Sequence, residues 1–183
     1  AEAFRVLRYS IDMAVKRPAV IMVTSSTPSQ GKSFTSRNLA VIFSIAGKKT
    51  VLIDADIRKG SLTTVLHRQS QGLTGYLADD ELTIDDILVK NTAENLDFIP
   101  SGVRPPNPAE LLMGHRLEEL GEQLKEHYEY IIFDTTPAFA VADASIINRV
   151  SDLLLYVIRV GVEDARFLKE IDKQYRQGKY RKM

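Results

Sequence analysis

One lysine, one serine and three aspartates in this chain have the types and spacing to handle a phosphate group and a magnesium ion. The stretch SSTPSQGKSFTSRN (25–38) follows an apolar run and contains Gly31, Lys32 and Ser33. It fits the phosphate-loop pattern G-x-x-x-x-G-K-[ST], with Ser26 in place of the first glycine. Glycine at 31 lets the backbone turn tightly against phosphate. The amides at the start of the next helix point at the anion, helped by the helix dipole. In such a loop Lys32 bridges β- and γ-phosphate oxygens, and the Ser33 hydroxyl ligates Mg²⁺. A small residue serves at position 26 where its φ is negative, and Pro28 stiffens the loop.

Two further acidic stretches belong with it. VLIDADIRKG carries Asp54 and Asp56, two residues apart at the end of a strand and so expected on one face. The alternative for this pair is an ordinary turn after a strand. YIIFDTTP carries Asp134 after a run of apolar and aromatic residues, a Walker B pattern in which an acid at a strand's carboxyl end meets Mg²⁺. Ligands of open α/β sheets bind at those carboxyl ends, so the loop and all three acids are expected to converge.

The elements that must position these residues are legible as alternation. Five apolar runs read as strands: 19–25, 50–56, 95–100, 130–135 and 152–158. Most are continuous rather than alternating, the pattern of parallel strands covered on both faces. Helical stretches lie between them. One runs over 32–46 and closes at Gly47. Another, NPAELLMGHRLEELGEQLKEHYE, places Leu111, Leu112, Leu117, Leu120 and Leu124 at helical spacing, and VADASIINRV is a third. The expected fold class is therefore α/β, a mostly parallel phosphate-loop NTPase-like sheet with helices on both faces, as one domain over 1–183. The N-terminal stretch 1–17 is also helical, with Phe4, Leu7, Ile11 and Ala14 on one face and Glu2, Arg5, Arg8 and Asp12 on the other. After the fifth strand a further strand would normally return. Its lack, and a first residue that is not Met, give the expectation of a piece of a longer chain.

Composition excludes little and supports a globular chain. The 183 residues are 44% hydrophobic and 26% charged, and 24 basic residues balance 24 acidic ones. Nothing global points to nucleic acid or an anionic membrane. The last stretch, KQYRQGKYRKM, has basic residues and no acid, and reads as a solvated helix end rather than a membrane-facing tail. Without cysteine there is neither disulfide nor thiol chemistry. No apolar run approaches the roughly 20 residues that span a bilayer. His67, His115 and His127 are scattered, without metal-ligand spacing.

Together these motifs resemble the bacterial tyrosine kinases, the cytoplasmic kinase domains of capsule and exopolysaccharide machinery. The resemblance rests on SSTPSQGKS, on LIDADIRKG (the Walker A′ motif of that family), on IIFDTTP and on PPNPAELL (105–112). Glu2, Arg5 and Arg8 also match the family's E-x-x-R-x-x-R. The resemblance implies ATP and Mg²⁺ as cofactors, and transfer of the γ-phosphate to tyrosines in the tail of a neighbouring subunit. It implies nucleotide contacts from Ser29, Gln30, Gly31, Lys32, Ser33, Phe34 and Arg58, and Mg²⁺ held by Ser33, Asp56 and Asp134. Lys32, Asp54, Asp56 and Asp134 would be catalytic, with Asp54 the candidate to orient or deprotonate the tyrosine and its assignment against Asp56 open. It implies a homo-oligomeric ring built through the Glu2, Arg5, Arg8 helix. It also implies a membrane-spanning polysaccharide co-polymerase region, fused or in a partner, with this domain on the cytoplasmic side.

Three departures stand out. The family's C-terminal tyrosine cluster is reduced here to Tyr175 and Tyr180. Ser61 stands where some members carry a tyrosine after Arg-Lys-Gly. Thr136 stands where the family often has proline. The nearest rival is a switch ATPase of the cell-division or partitioning type, which carries an extra lysine five residues before the invariant one; Thr27 occupies that position. A nucleotide-controlled assembly module would use the same residues without transferring phosphate. A eukaryotic-type kinase is excluded by the lack of G-x-G-x-x-G, V-A-I-K and H-R-D.

Overall fold

Three of the apolar runs are buried at every strand position, which fixes them in the middle of a sheet. They are β1 (Ala19–Thr24), β2 (Thr50–Asp54) and β5 (Tyr130–Asp134). With β3 (Val89–Ala93), β4 (Leu96–Ile99) and β6 (Leu153–Tyr156) they form one sheet of order β3-β4-β2-β5-β1-β6. The computed structural model describes residues 2–66, 71–162, 164–180 and 182–183. All pairs are parallel except β3 with β4. The expected strands are all present, a residue or more shorter than read. β3 is an addition: its sequence, VKNTA, is half-exposed and polar, so no apolar pattern announces this antiparallel edge.

Helices cover both faces. One face carries Val20, Met22, Val51, Ile53, Ile131 and Phe133, packed under α4 (Gly72–Ala78), α5 (Ile84–Ile87), α6 (Pro108–Met113), α7 (Arg116–Lys125), α8 (Asp143–Ile147) and α9 (Ala165–Arg176). The other carries Ala19, Ile21, Val23, Leu52 and Ile132. It packs against α1 (Glu2–Ala14), α2 (Lys32–Ile45) and α3 (Ser61–Val65). Period-two alternation within each strand is what feeds the two cores. Tyr130 stacks on Phe43 of α2 at 3.7 Å between ring centroids, and its hydroxyl donates to Asp12 of α1. The long helical stretch read over 107–129 breaks into α6 and α7 where Gly114 turns extended (ψ 162°), while Leu112, Leu117, Leu120 and Leu124 stay buried. The VADASIINRV stretch is α8 followed by one 3₁₀ turn.

The basic C-terminal stretch differs from a solvated helix end. After α9 the chain turns at Gly178, and Tyr180 enters the core at 4% exposure. The Leu154 amide on the outer strand donates to the Lys182 carbonyl at 2.7 Å. Among the described residues no helix is long and apolar enough to cross a membrane.

Candidate active site

β1 delivers the chain at Thr24 into the loop 25–31, and α2 begins at Lys32. The loop holds its own shape. The Ser25 hydroxyl donates to the Thr27 carbonyl at 2.7 Å. The Gln30 amide donates to the Thr27 hydroxyl at 2.9 Å and accepts from the Arg159 N–H at 2.9 Å. Ser29 and Gly31 are both left-handed, with φ 65° and 99°. A Cβ at Gly31 would meet nothing within 4 Å, so glycine is needed there for its φ alone. Alternation of this kind turns successive amides inward to make an anion-binding nest. No side chain caps the start of α2, which leaves its first amides free for an anion.

Seven of the expected residues line one cavity of about 400 Å³: Ser29, Gly31, Lys32, Ser33, Phe34, Asp56 and Arg58. Thr136 and Pro137, just past β5, close its other wall, and the buried Thr136 hydroxyl has no hydrogen-bond partner among the described residues. Lys32 is 8% exposed. Burial lowers its pKa, and the charges of Asp134 and Asp56 act against that shift.

The three aspartates have different surroundings. Asp134 sits beneath the loop at 1% exposure and accepts the Ser36 hydroxyl at 2.8 Å. Its Oδ2 is buried without a hydrogen-bond partner among the described residues. Burial pushes its pKa to about 7; the Ser33 and Ser36 hydroxyls pull it down and the Asp54 charge pushes it up. Asp54 is its neighbour across the β2–β5 ladder and is wholly buried. Asp54 Oδ2 accepts both the amide and the hydroxyl of Thr63 in α3, each at 2.7 Å, and its Oδ1 has no partner among the described residues. Burial raises this carboxyl to about 6.

Asp56 therefore does not share a strand face with Asp54. β2 stops at Asp54, and Asp56 begins a turn in which its carbonyl accepts the Gly60 amide at 2.7 Å. That turn swings the Asp56 carboxylate into the cavity while Asp54 points at α3. Gln30 is likewise outside the cavity lining, its side chain spent on the loop scaffold. Arg58 lines the cavity, but its guanidinium forks onto the fully buried Asp143 at 2.7 and 2.9 Å, so its charge is already paired. The sequence gives no sign of Asp143. Ser36 was findable: it lies one helical turn after Lys32, on the side facing β5. His67 lies outside the described residues. Among the described residues no group of three or more His, Cys, Asp or Glu side chains could hold a metal alone. The residues present instead suit an ion that arrives with phosphate ligands, since Mg²⁺ takes one or two carboxylates plus substrate phosphates. The partnerless oxygen of Asp134 beside the Ser33 hydroxyl is the observation that fits it.

The chain has relatives among known proteins. The AAA domain family matches residues 19–175. The tyrosine-protein kinase YwqD of Bacillus subtilis (strain 168) is 39% identical over 164 residues, 88% of this chain and 69% of that protein. A putative tyrosine-protein kinase in cps region of Klebsiella pneumoniae is 40% identical over 174 residues, 93% of this chain and 24% of that protein. The chain thus spans about a quarter of the length of that protein and of several other relatives. The solved kinase domain of Escherichia coli tyrosine kinase ETK superposes with a TM-score of 0.91 at 33% identity, covering 99% of this chain and 72% of that one. The septum site-determining protein MinD of Pyrococcus horikoshii OT3, complexed with Mg-ADP, superposes at 0.72 with 20% identity over 90% of this chain and 67% of that one, and shows the shared fold alone. The chain belongs to the AAA domain family and to the bacterial tyrosine kinases whose motifs it carries.

Proposed function

We propose that this chain binds MgATP in the 400 Å³ cavity and transfers the γ-phosphoryl group to a tyrosine hydroxyl presented by another copy. The observation that carries the reading is the convergence of the left-handed loop, Lys32, Ser33 and Asp56 on one cavity, with Asp134 directly behind Ser33. The loop amides and Lys32 would hold the phosphates. Ser33 and Asp134 would hold the metal, Asp134 directly or through water. Mg²⁺ supplies charge neutralisation across the β- and γ-phosphates. Asp56 is the one carboxylate lining the cavity among the described residues, which makes it the candidate both to meet the metal and to take the tyrosine proton. Asp54 acts through α3, by fixing Thr63. Transfer itself forms a bond from the tyrosine oxygen to the γ-phosphorus and breaks the bond to the β–γ bridging oxygen, with ADP as leaving group. Positioning and charge stabilisation do most of that work.

The acceptor would come from a neighbouring copy's tyrosine-rich tail. Tyr180 is buried and Tyr175 is 38% exposed, so neither is a free tail of the kind the family uses. The neighbour would dock through α1. There Glu2 and Arg5 pair with each other at 3.0 Å, while the buried Nε of Arg8 has no partner among the described residues. Phe4 of α1 touches Phe34 of the cavity at 6.0 Å between rings, which links that helix to the site. The cps region in the name of the Klebsiella relative supports a role in capsule or exopolysaccharide synthesis and export. On that reading the domain works on the cytoplasmic side of a membrane-spanning co-polymerase.

The alternative, a switch ATPase or nucleotide-controlled assembly module, shares the fold but has Thr27 against it. Incubation with MgATP and a soluble tyrosine peptide separates the two. A kinase forms phosphotyrosine in proportion to ADP; ADP release with no phosphotyrosine defeats the kinase reading.

A further inference from the structure

A second cavity, of about 750 Å³, lies beside the first and shares Arg58 and Lys59 with it. Lys59 and Arg104 stand on its rim, and Thr63, Thr64 and Ser101 add hydroxyls. Among the described residues no carboxylate and no aromatic ring lines it. Arg58 is committed to Asp143, but Lys59 and Arg104 are exposed and form no ion pair among the described residues. The described lining is therefore positively charged, on a molecule whose net charge is zero.

The groove is built, not incidental. Thr63 donates to buried Asp54 at 2.7 Å and accepts the Ser101 amide at 2.8 Å, so the cavity floor is anchored on the central sheet. Gly60 (φ 59°) and Gly102 (φ 83°) let the two walls close on each other and on α4. A Cβ on Gly102 would come within 2.1 Å of the Gln71 carbonyl oxygen, and one on Gly60 within 2.6 Å of the Ser101 hydroxyl. A pre-formed site of this kind loses little entropy on binding.

We propose that this groove binds acidic residues flanking the acceptor tyrosine, an assignment that rests on the kinase reading above. Unpaired cations select anionic partners and suppress cationic ones. The wall shared through Lys59 sets an occupant beside the nucleotide cavity. Among the described residues the lining has no aromatic platform for a nucleic-acid base to stack on, which favours a peptide.

The test is binding of a fluorescent peptide to the full chain, read by anisotropy and so independent of turnover. One peptide has tyrosine flanked by glutamates, and the other by glutamines. The glutamate peptide should bind about tenfold tighter at low salt, the sum of two or three exposed charge pairs. Arg104→Glu should abolish that preference while ATP affinity, measured separately, stays the same, because Arg104 does not line the nucleotide cavity. Equal binding of the two peptides by the wild-type chain overturns the groove, and phosphotyrosine formed equally on both would then leave the kinase reading standing. Tight, Arg104-dependent binding with no phosphotyrosine on either peptide overturns the acceptor role instead. A short RNA of equal charge that binds more tightly than the glutamate peptide overturns the choice of a peptide.

Discussion

Asp134 is a carboxylate placed where its charge is costly until a cation arrives. Its pKa of about 7 stands above the ordinary 3.8 because it is buried. The folded state therefore holds a proton that the unfolded chain has released. The stability that this proton confers is complete below pH 4 and is lost as pH rises through 7. Asp134→Asn should accordingly raise the melting temperature of the nucleotide-free protein at pH 8, by about 2–4 °C for each kcal/mol recovered. That gain should shrink towards pH 5, where the wild-type carboxyl is already neutral. A melting temperature that falls equally at both pH values would contradict the assignment. Asp54, at about 6, adds to the same trend over a slightly lower range. Lys32 is the complementary case, since burial works against its charge as well. Its replacement by Met should remove phosphate binding without unfolding the chain.

At the scale of elements, the site depends on two ties that bring segments distant in sequence onto the sheet end. Thr63 fastens α3 to Asp54, and Arg58 fastens the turn after β2 to Asp143 of α8. Arg58→Leu would leave Asp143 buried and unpaired, and should destabilise the fold by about 3 kcal/mol in urea unfolding. A change under 1 kcal/mol would show that this pair is not holding the cavity wall. These ties mark the limit of what the sequence reveals. The continuous apolar strands, Gly31 with Lys32, and Asp134 at the end of β5 are local patterns with local causes, so they are legible in one pass. The pairing of Arg58 with Asp143, 85 residues apart, has no local signature. The parting of Asp54 from Asp56 hinges on where β2 stops, and strand ends are set by turn chemistry that two-residue periodicity does not contain. The β3 edge escaped for a related reason, because a half-exposed edge strand needs no apolar face.

At the scale of the molecule, the apolar and charged residues of α1 concern assembly. Val6, Tyr9 and Met13 are exposed beside Arg8, whose Nε lacks a partner among the described residues. If another copy docks there, Arg5→Glu with Arg8→Glu should reduce the assembly to monomers by light scattering while ATP affinity stays within about twofold, since neither residue lines the cavity. An unchanged mass would remove α1 from the interface. The cavities at the carboxyl ends of the strands, the nearby cationic groove and the outward face of α1 make one consistent picture, a nucleotide site completed by a tyrosine from a neighbour. The most direct test is incubation of the chain with MgATP and a tyrosine-bearing acceptor, followed by mass spectrometry for phosphotyrosine, with the Lys32→Met protein in parallel. Phosphotyrosine in the wild-type reaction and none in the mutant is the predicted result. Phosphotyrosine at equal levels in both, or ADP without phosphotyrosine in the wild type, would contradict it.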